Sequence, residues 1–189
     1  MKKRILCLLL LLLCPLAQAE SCFKEKMPLV TLTQCANQGD VNAQFELGAR
    51  YGYGSEPDNI TPDKNKAMEW LLKAAAQGSS EAQSNIGWIY YRGESGVTKD
   101  DKKAMEWFLK AAEQGDIHAQ RQIGGMYYYG EGVPEDNVLS YMWSEIGAAS
   151  GDDVAVKMMA NLTKTMTPEQ IVKAKQMAAD WLFKHPLKK

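Results

Sequence analysis

The sequence predicts an all-α protein in which helical hairpins stack into an extended array. One observation is a self-similarity between Gly39, Gly78, Gly115 and Gly151, with periods of 39, 37 and 36 residues. Another is that small and bulky residues recur four apart within each period, the spacing that lines up one stripe of a helix. The whole chain has 189 residues, of which 46% are hydrophobic and 24% charged, which excludes a disordered or collagen-like polymer.

The first element is an export signal. Lys2, Lys3 and Arg4 give a positive end, Ile5 to Leu13 an apolar run, and Ala17-Gln18-Ala19 a cleavage site, so residues 1–19 read as a removable signal peptide. A membrane anchor is the competing reading, but the run is far shorter than the roughly 20 residues a span needs. Leu13 before Cys14 disfavours lipidation, which wants a small residue there. The expected destination is the periplasm, with the extracellular space as the alternative. Cleavage removes three of the 22 basic residues and none of the 23 acidic ones, for a net charge of −4. That balance argues against nucleic acid as a partner. Cys7 and Cys14 leave with the signal. Cys22 and Cys35 then form an isolated pair, read as a disulfide in an oxidising compartment, with two free thiols as the other reading.

Residues 20–34 read as an N-terminal strap and the start of a capping helix, which spans about 28–38. Three repeats follow over 35–151, bounded as 39–78, 78–115 and 115–151. In the first helix of each, Ala43, Ala82 and Ala119 precede Gln44, Gln83 and Gln120; Leu47, Ile86 and Ile123 precede Gly48, Gly87 and Gly124; then come Tyr51, Tyr90 and Tyr127. The tyrosines are assigned to packing. In the second helix Asp63, Asp100 and Asp136 are expected N-caps, followed by Ala67, Ala104 and Ser140 and by Trp70, Trp107 and Trp143. Gly78, Gly115 and Gly151 stop Ala-rich helices where a left-handed residue is required. Residues 152–189 supply capping helices at 154–162 and from Thr167 to about Phe183, the latter opened by the capping box Thr167-Pro168-Glu169-Gln170, and then a basic tail.

The pattern A-Q-x-x-L-G-x-x-Y-x-x-G followed by D-x-x-K-A-x-x-W-x-x-K-A-A-x-x-G resembles the Sel-one-like repeat family, a relative of tetratricopeptide repeats. The resemblance covers about Cys35 to Gly151. It implies a right-handed α-solenoid whose first-type helices line a concave face and which acts as an interaction scaffold. Two departures stand out: a longer loop from Gly54 to Asp63, and Ser140, Ile146 and Gly147 in place of Ala, Lys and Ala in the third repeat.

Catalytic patterns are lacking. The histidines are His118 and His185, and there is no H-E-x-x-H, no G-x-S-x-G and no G-x-x-x-x-G-K. The glycines at 124, 125, 130 and 132 lack the strand that a phosphate cradle needs. The expectation is a non-enzymatic chain without cofactor or metal. Partner specificity should then lie at non-signature positions of the first-type helices. Trp88 aligns with Ala49 and Gly125, so the fold does not demand it, and Trp88→Ala is expected to weaken binding with little loss of stability. The sets Glu46, Arg50 and Tyr53, then Asn85, Ile89 and Arg92, then Gln122, Met126 and Tyr129, occupy equivalent places and could line one groove. The resemblance allows an exported partner of a secreted toxin, such as an immunity protein. The alternatives are a penicillin-binding or β-lactamase-like hydrolase, as in cysteine-rich relatives, and a scaffold for envelope assembly. All three full repeats lack the cysteine pairs of those relatives.

Overall fold

The computed structural model describes residues 22, 24, 26–56, 58–94 and 96–186; residues 1–19, where an export signal is expected from the sequence, and the last three residues of the basic tail lie outside them. Among the described residues the elements are all helical: α1 (Leu29–Asn37), α2 (Val41–Tyr53), α3 (Lys64–Ala76), α4 (Ser80–Arg92), α5 (Asp101–Ala112), α6 (Ile117–Tyr129), α7 (Asn137–Ala149), α8 (Asp153–Leu162) and α9 (Pro168–Lys184). The hairpins are α2/α3, α4/α5 and α6/α7, each packed on the next, with α1 closing one end and α8 and α9 covering α7 at the other. This is an α-solenoid.

The link between successive hairpins is the same each time, because one short segment does two jobs. Gly39, Gly78, Gly115 and Gly151 adopt φ of 93°, 91°, 90° and 93°. The next residue, Asp40, Ser79, Asp116 or Asp152, donates its backbone N–H to the carbonyl of Cys35, Ala74, Ala111 or Gly147, which closes the preceding helix. The same residue's side chain accepts from a backbone N–H in the first turn of the following helix, at Ala43, Ala82, Ala119 or Val154.

Within each hairpin the turn is closed differently. The N-cap aspartates Asp63, Asp100 and Asp136 donate their N–H to the carbonyls of Tyr51, Tyr90 and Tyr127 at 2.8, 2.9 and 3.0 Å. Lys66 and Lys103, three residues after the cap, lie over the Tyr51 and Tyr90 rings. The third repeat has Leu139 at that position and so has no such cation. The longer first loop is also accounted for: Ser55 and Ile60 pair as an antiparallel bridge, which folds the extra residues into a turn.

Packing follows the expected pairing of small against large. A Cβ added to Gly87 would fall 2.7 Å from the Phe108 ring, and one on Gly48 would fall 3.0 Å from Leu71. In the third repeat the facing residue is Ser144, 3.4 Å from a Cβ on Gly124, and Ser140 donates to the Gly124 carbonyl at 2.8 Å. The third repeat thus keeps the close approach with the small Ser144 in place of Leu71 or Phe108, and its Ser140, in place of alanine, adds a hydrogen bond across the contact.

The buried glutamines form a polar ladder through this core. Gln44, Gln83 and Gln120 donate Nε2 to the carbonyls of Ala36, Ala75 and Ala112 at 3.0, 3.2 and 3.3 Å. Their Oε1 atoms accept from Gln77, Gln114 and Ser150 at 2.8, 2.7 and 3.2 Å. Each side chain therefore joins three successive helices. Gln83→Leu, which keeps the volume but leaves the Ala75 carbonyl and the Gln114 amide without this partner, should lower unfolding stability by about 2 kcal/mol in urea titration.

Candidate protein-binding face

Five of the sequence-selected residues meet at one place. Tyr53 of α2 and Asn85, Trp88, Ile89 and Arg92 of α4 line a cavity of about 250 Å³, with Gly48, Ala49 and Gly52 as the α2 wall and Ala67 and Leu71 of α3 as part of the floor. Tyr53 is 82% exposed, whereas Ile89 is buried and offers only its edge to the cavity. Trp88 is half-buried. Its ring meets Phe108 edge-on at 5.4 Å and Tyr91 at 5.6 Å, and the Arg92 guanidinium lies 4.6 Å from its centre. The expectation that Trp88→Ala would spare stability is therefore corrected: the ring packs on the core formed by the later repeats and also borders the cavity.

The remaining selected residues are not brought together. Met126 is fully buried among Phe108, Ile123 and Tyr141, so its assignment to a binding surface is corrected. Arg50, Ile89 and Met126 hold one repeat position. In the second and third repeats this side of the first helix is covered by the repeat before it, and an apolar residue fits. Among the described residues no full hairpin precedes the first repeat, and its arginine meets the N-terminal strap: Arg50 Nη1 donates to the Met27 carbonyl at 2.9 Å. Arg50 also pairs with Glu46 at 2.8 Å and with Asp58 at 2.7 Å, so Glu46 and Arg50 are spent internally. Gln122 sits beside the Tyr91 phenol, which donates to Glu131 at 2.8 Å. Burial and that carboxylate raise the phenol above its ordinary pKa. Tyr129 is exposed and packs edge-on against Tyr128.

Asp58 gives the strap network a pH dependence. The Ser55 hydroxyl, which donates to it at 2.9 Å, and then Arg50 hold its carboxyl below the ordinary value. A carboxylate with a depressed folded-state pKa stabilises the fold above its unfolded pKa, and that contribution disappears as the pH falls through the folded value. Wild type should therefore lose melting temperature relative to Asp58→Asn on going from pH 6 to pH 3, and the two should converge in acid.

Three Sel1 repeat matches cover residues 41–79, 80–116 and 117–152. The chain belongs to the Sel1 repeat family. Among solved structures, it is similar to c5321, a protective antigen of uropathogenic Escherichia coli strains displaying an SLR fold, at 36% identity and a TM-score of 0.73, covering 82% of this chain and 32% of that one. It is also similar to a Sel1 repeat protein from Oxalobacter formigenes, at 39% identity and a TM-score of 0.64, covering 70% of this chain and 97% of that one. Curated relatives include the chitin synthase regulator SKT5 of Saccharomyces cerevisiae, 40% identical over 62 residues, and the ERAD-associated E3 ubiquitin-protein ligase component HRD3A of Arabidopsis thaliana, 36% identical over 58. The first match covers 33% of this chain and 9% of that protein, the second 31% and 8%. This chain thus spans under a tenth of either relative.

The Sel1 repeats make the chain a protein–protein interaction module. Several of their polar residues serve the fold itself. Asp63, Asp100, Asp136 and Asp152 cap helices, and Asp152, buried, also pairs with Arg121. His118 is exposed beside Arg121, and His185 stacks on Trp181 at the end of α9. Sequence reasoning missed the Arg50–Asp58 network and the glutamine ladder. The invariant place of glutamine after alanine was the available signal for the ladder; for the network, the unusual arginine at an otherwise apolar position was the signal.

Proposed function

We propose that this Sel1 repeat protein is exported, is not an enzyme, and holds a partner protein on the face formed by α2 and α4. One observation carries the reading: Tyr53, Asn85, Trp88 and Arg92, none of which the repeat signature requires, converge on a single cavity. The export signal at 1–19 and the Cys22–Cys35 disulfide favour an oxidising compartment, with the periplasm as its expected location. An immunity or inhibitor role toward a secreted effector is one form of this reading. In that form, co-production of the chain protects a cell from the effector.

The test is capture of the partner from envelope extract, repeated with Tyr53→Arg, Asn85→Arg and, as a control away from the cavity, Lys102→Glu. The two cavity variants should lose most of the captured partner at unchanged melting temperature, and the control should lose none. Equal capture by all three would remove the partner from this face. Nitrocefin turnover above background would overturn the non-enzymatic reading.

A further inference from the structure

We propose that the cavity between α2 and α4 is a receptor for one aromatic ring, presented as a side chain of the protein partner; the inference builds on the function proposed above. Ala49 and Gly52 of the first repeat stand where the second repeat has Trp88 and Tyr91. In the second repeat those two rings meet at 5.6 Å, the indole stands edge-on to Phe108 at 5.4 Å, and Arg92 covers its face. In the first repeat the corresponding wall carries only a methyl group and a hydrogen. A Cβ on Gly52 would meet nothing closer than the Ala67 methyl at 3.7 Å. Space that the chain fills with its own aromatic residues in one repeat is thus left open in the preceding one, as a cavity of about 250 Å³.

The volume and chemistry of the walls fit the same occupant. An apolar cavity of about 150 Å³ holds a benzene ring, so this one accommodates an indole or a phenol. Ala67, Leu71 and Ile89 give it an apolar floor. Trp88 lines the cavity and offers an aromatic partner to an incoming ring, and Arg92, whose side chain is 55% exposed, can lie over a second ring as it lies over Trp88. Asn85 and Tyr53 at the rim supply an amide and a phenol for the backbone that carries the ring. An aliphatic side chain would fill the floor but forgo both ring-specific contacts.

The test is a titration of the purified protein with N-acetyltryptophanamide, followed by backbone-amide and indole NMR. Saturable shifts are expected at Ala49, Gly52, Trp88 and Ile89, with N-acetylleucinamide binding about tenfold more weakly, the difference expected when ring contacts are lost. Ala49→Trp installs the residue that the next repeat already carries and should abolish the shifts while keeping or raising the melting temperature. Ala49→Leu, a smaller plug, should weaken binding about tenfold and serves if the tryptophan variant fails to fold. Absence of saturable shifts in wild type, equal binding of the leucine probe, or undiminished binding in both variants would overturn the proposal. Partner capture as strong with Ala49→Trp as with wild type would overturn it while leaving the proposed function intact. Ring binding without any face-dependent partner would overturn that function and leave the cavity as a site for aromatic rings.

Discussion

Phe108→Ala should lower the free energy of unfolding by about 3–5 kcal/mol, measurable as a shift in the urea midpoint. Phe108 is the largest of the fully buried side chains and lies where three consecutive elements meet: it fills the notch at Gly87, supports the Trp88 ring, and belongs to the core that continues through α6 and α7. The residues at the same repeat position are Leu71 and Ser144. Leu71→Ala removes less volume next to an existing cavity and should cost about 2–3 kcal/mol. A larger loss at 71 than at 108 would mean that the first hairpin, not the second, carries the solenoid.

Reduction of the Cys22–Cys35 disulfide, or Cys22→Ser, should cost up to about 3 kcal/mol, the chain-entropy value for a loop of this length, with a sequence separation of 13. The effect should be local. Among the described residues helix α1 packs chiefly on α2, with Trp70 of α3 against the same cluster, and its strap is otherwise held by Arg50 and by the packing of Met27. Amide exchange should therefore accelerate in α1 and α2 on addition of a dithiol while α6 to α9 stay protected. A uniform change along the chain would instead show that the array unfolds as a single unit.

The parts of the fold that were legible are those set by local chemistry. Glycine at 78, 115 and 151, aspartate at 63, 100 and 136, and the box at Thr167 each have one favourable place relative to a helix end, and the structure puts them there. The binding face was legible only in part, because it depends on what lies beside each helix. Arg50, Ile89 and Met126 share a repeat position yet face a strap, a cavity edge and a sealed core. Trp88 stands out in the sequence because the repeat does not require it; that its ring also packs on Phe108 depends on the facing helix α5 and is not written in its own helix. Gln44, Gln83 and Gln120 look like surface residues by type, and their burial is explained by the carbonyls of Ala36, Ala75 and Ala112 that they donate to and by Gln77, Gln114 and Ser150 that donate to them.

The shared residue at each hairpin-to-hairpin link sets where this protein can change length. Asp40, Ser79, Asp116 and Asp152 each end one helix through a backbone donor and begin the next through a side-chain acceptor, so one inserted residue would separate two functions that must coincide. The turns inside the hairpins are longer, over 54–63, 93–100 and 130–136; Asp63, Asp100 and Asp136 likewise close one helix and cap the next, but the residues ahead of each aspartate can vary in number, and the first turn has already taken up extra ones as a closed turn. Growth by insertion is thus confined to one rim of the array. That rim includes Tyr53 and Glu94, at the mouth of the cavity, so the edge that tolerates new sequence is also the edge where a new partner could be met.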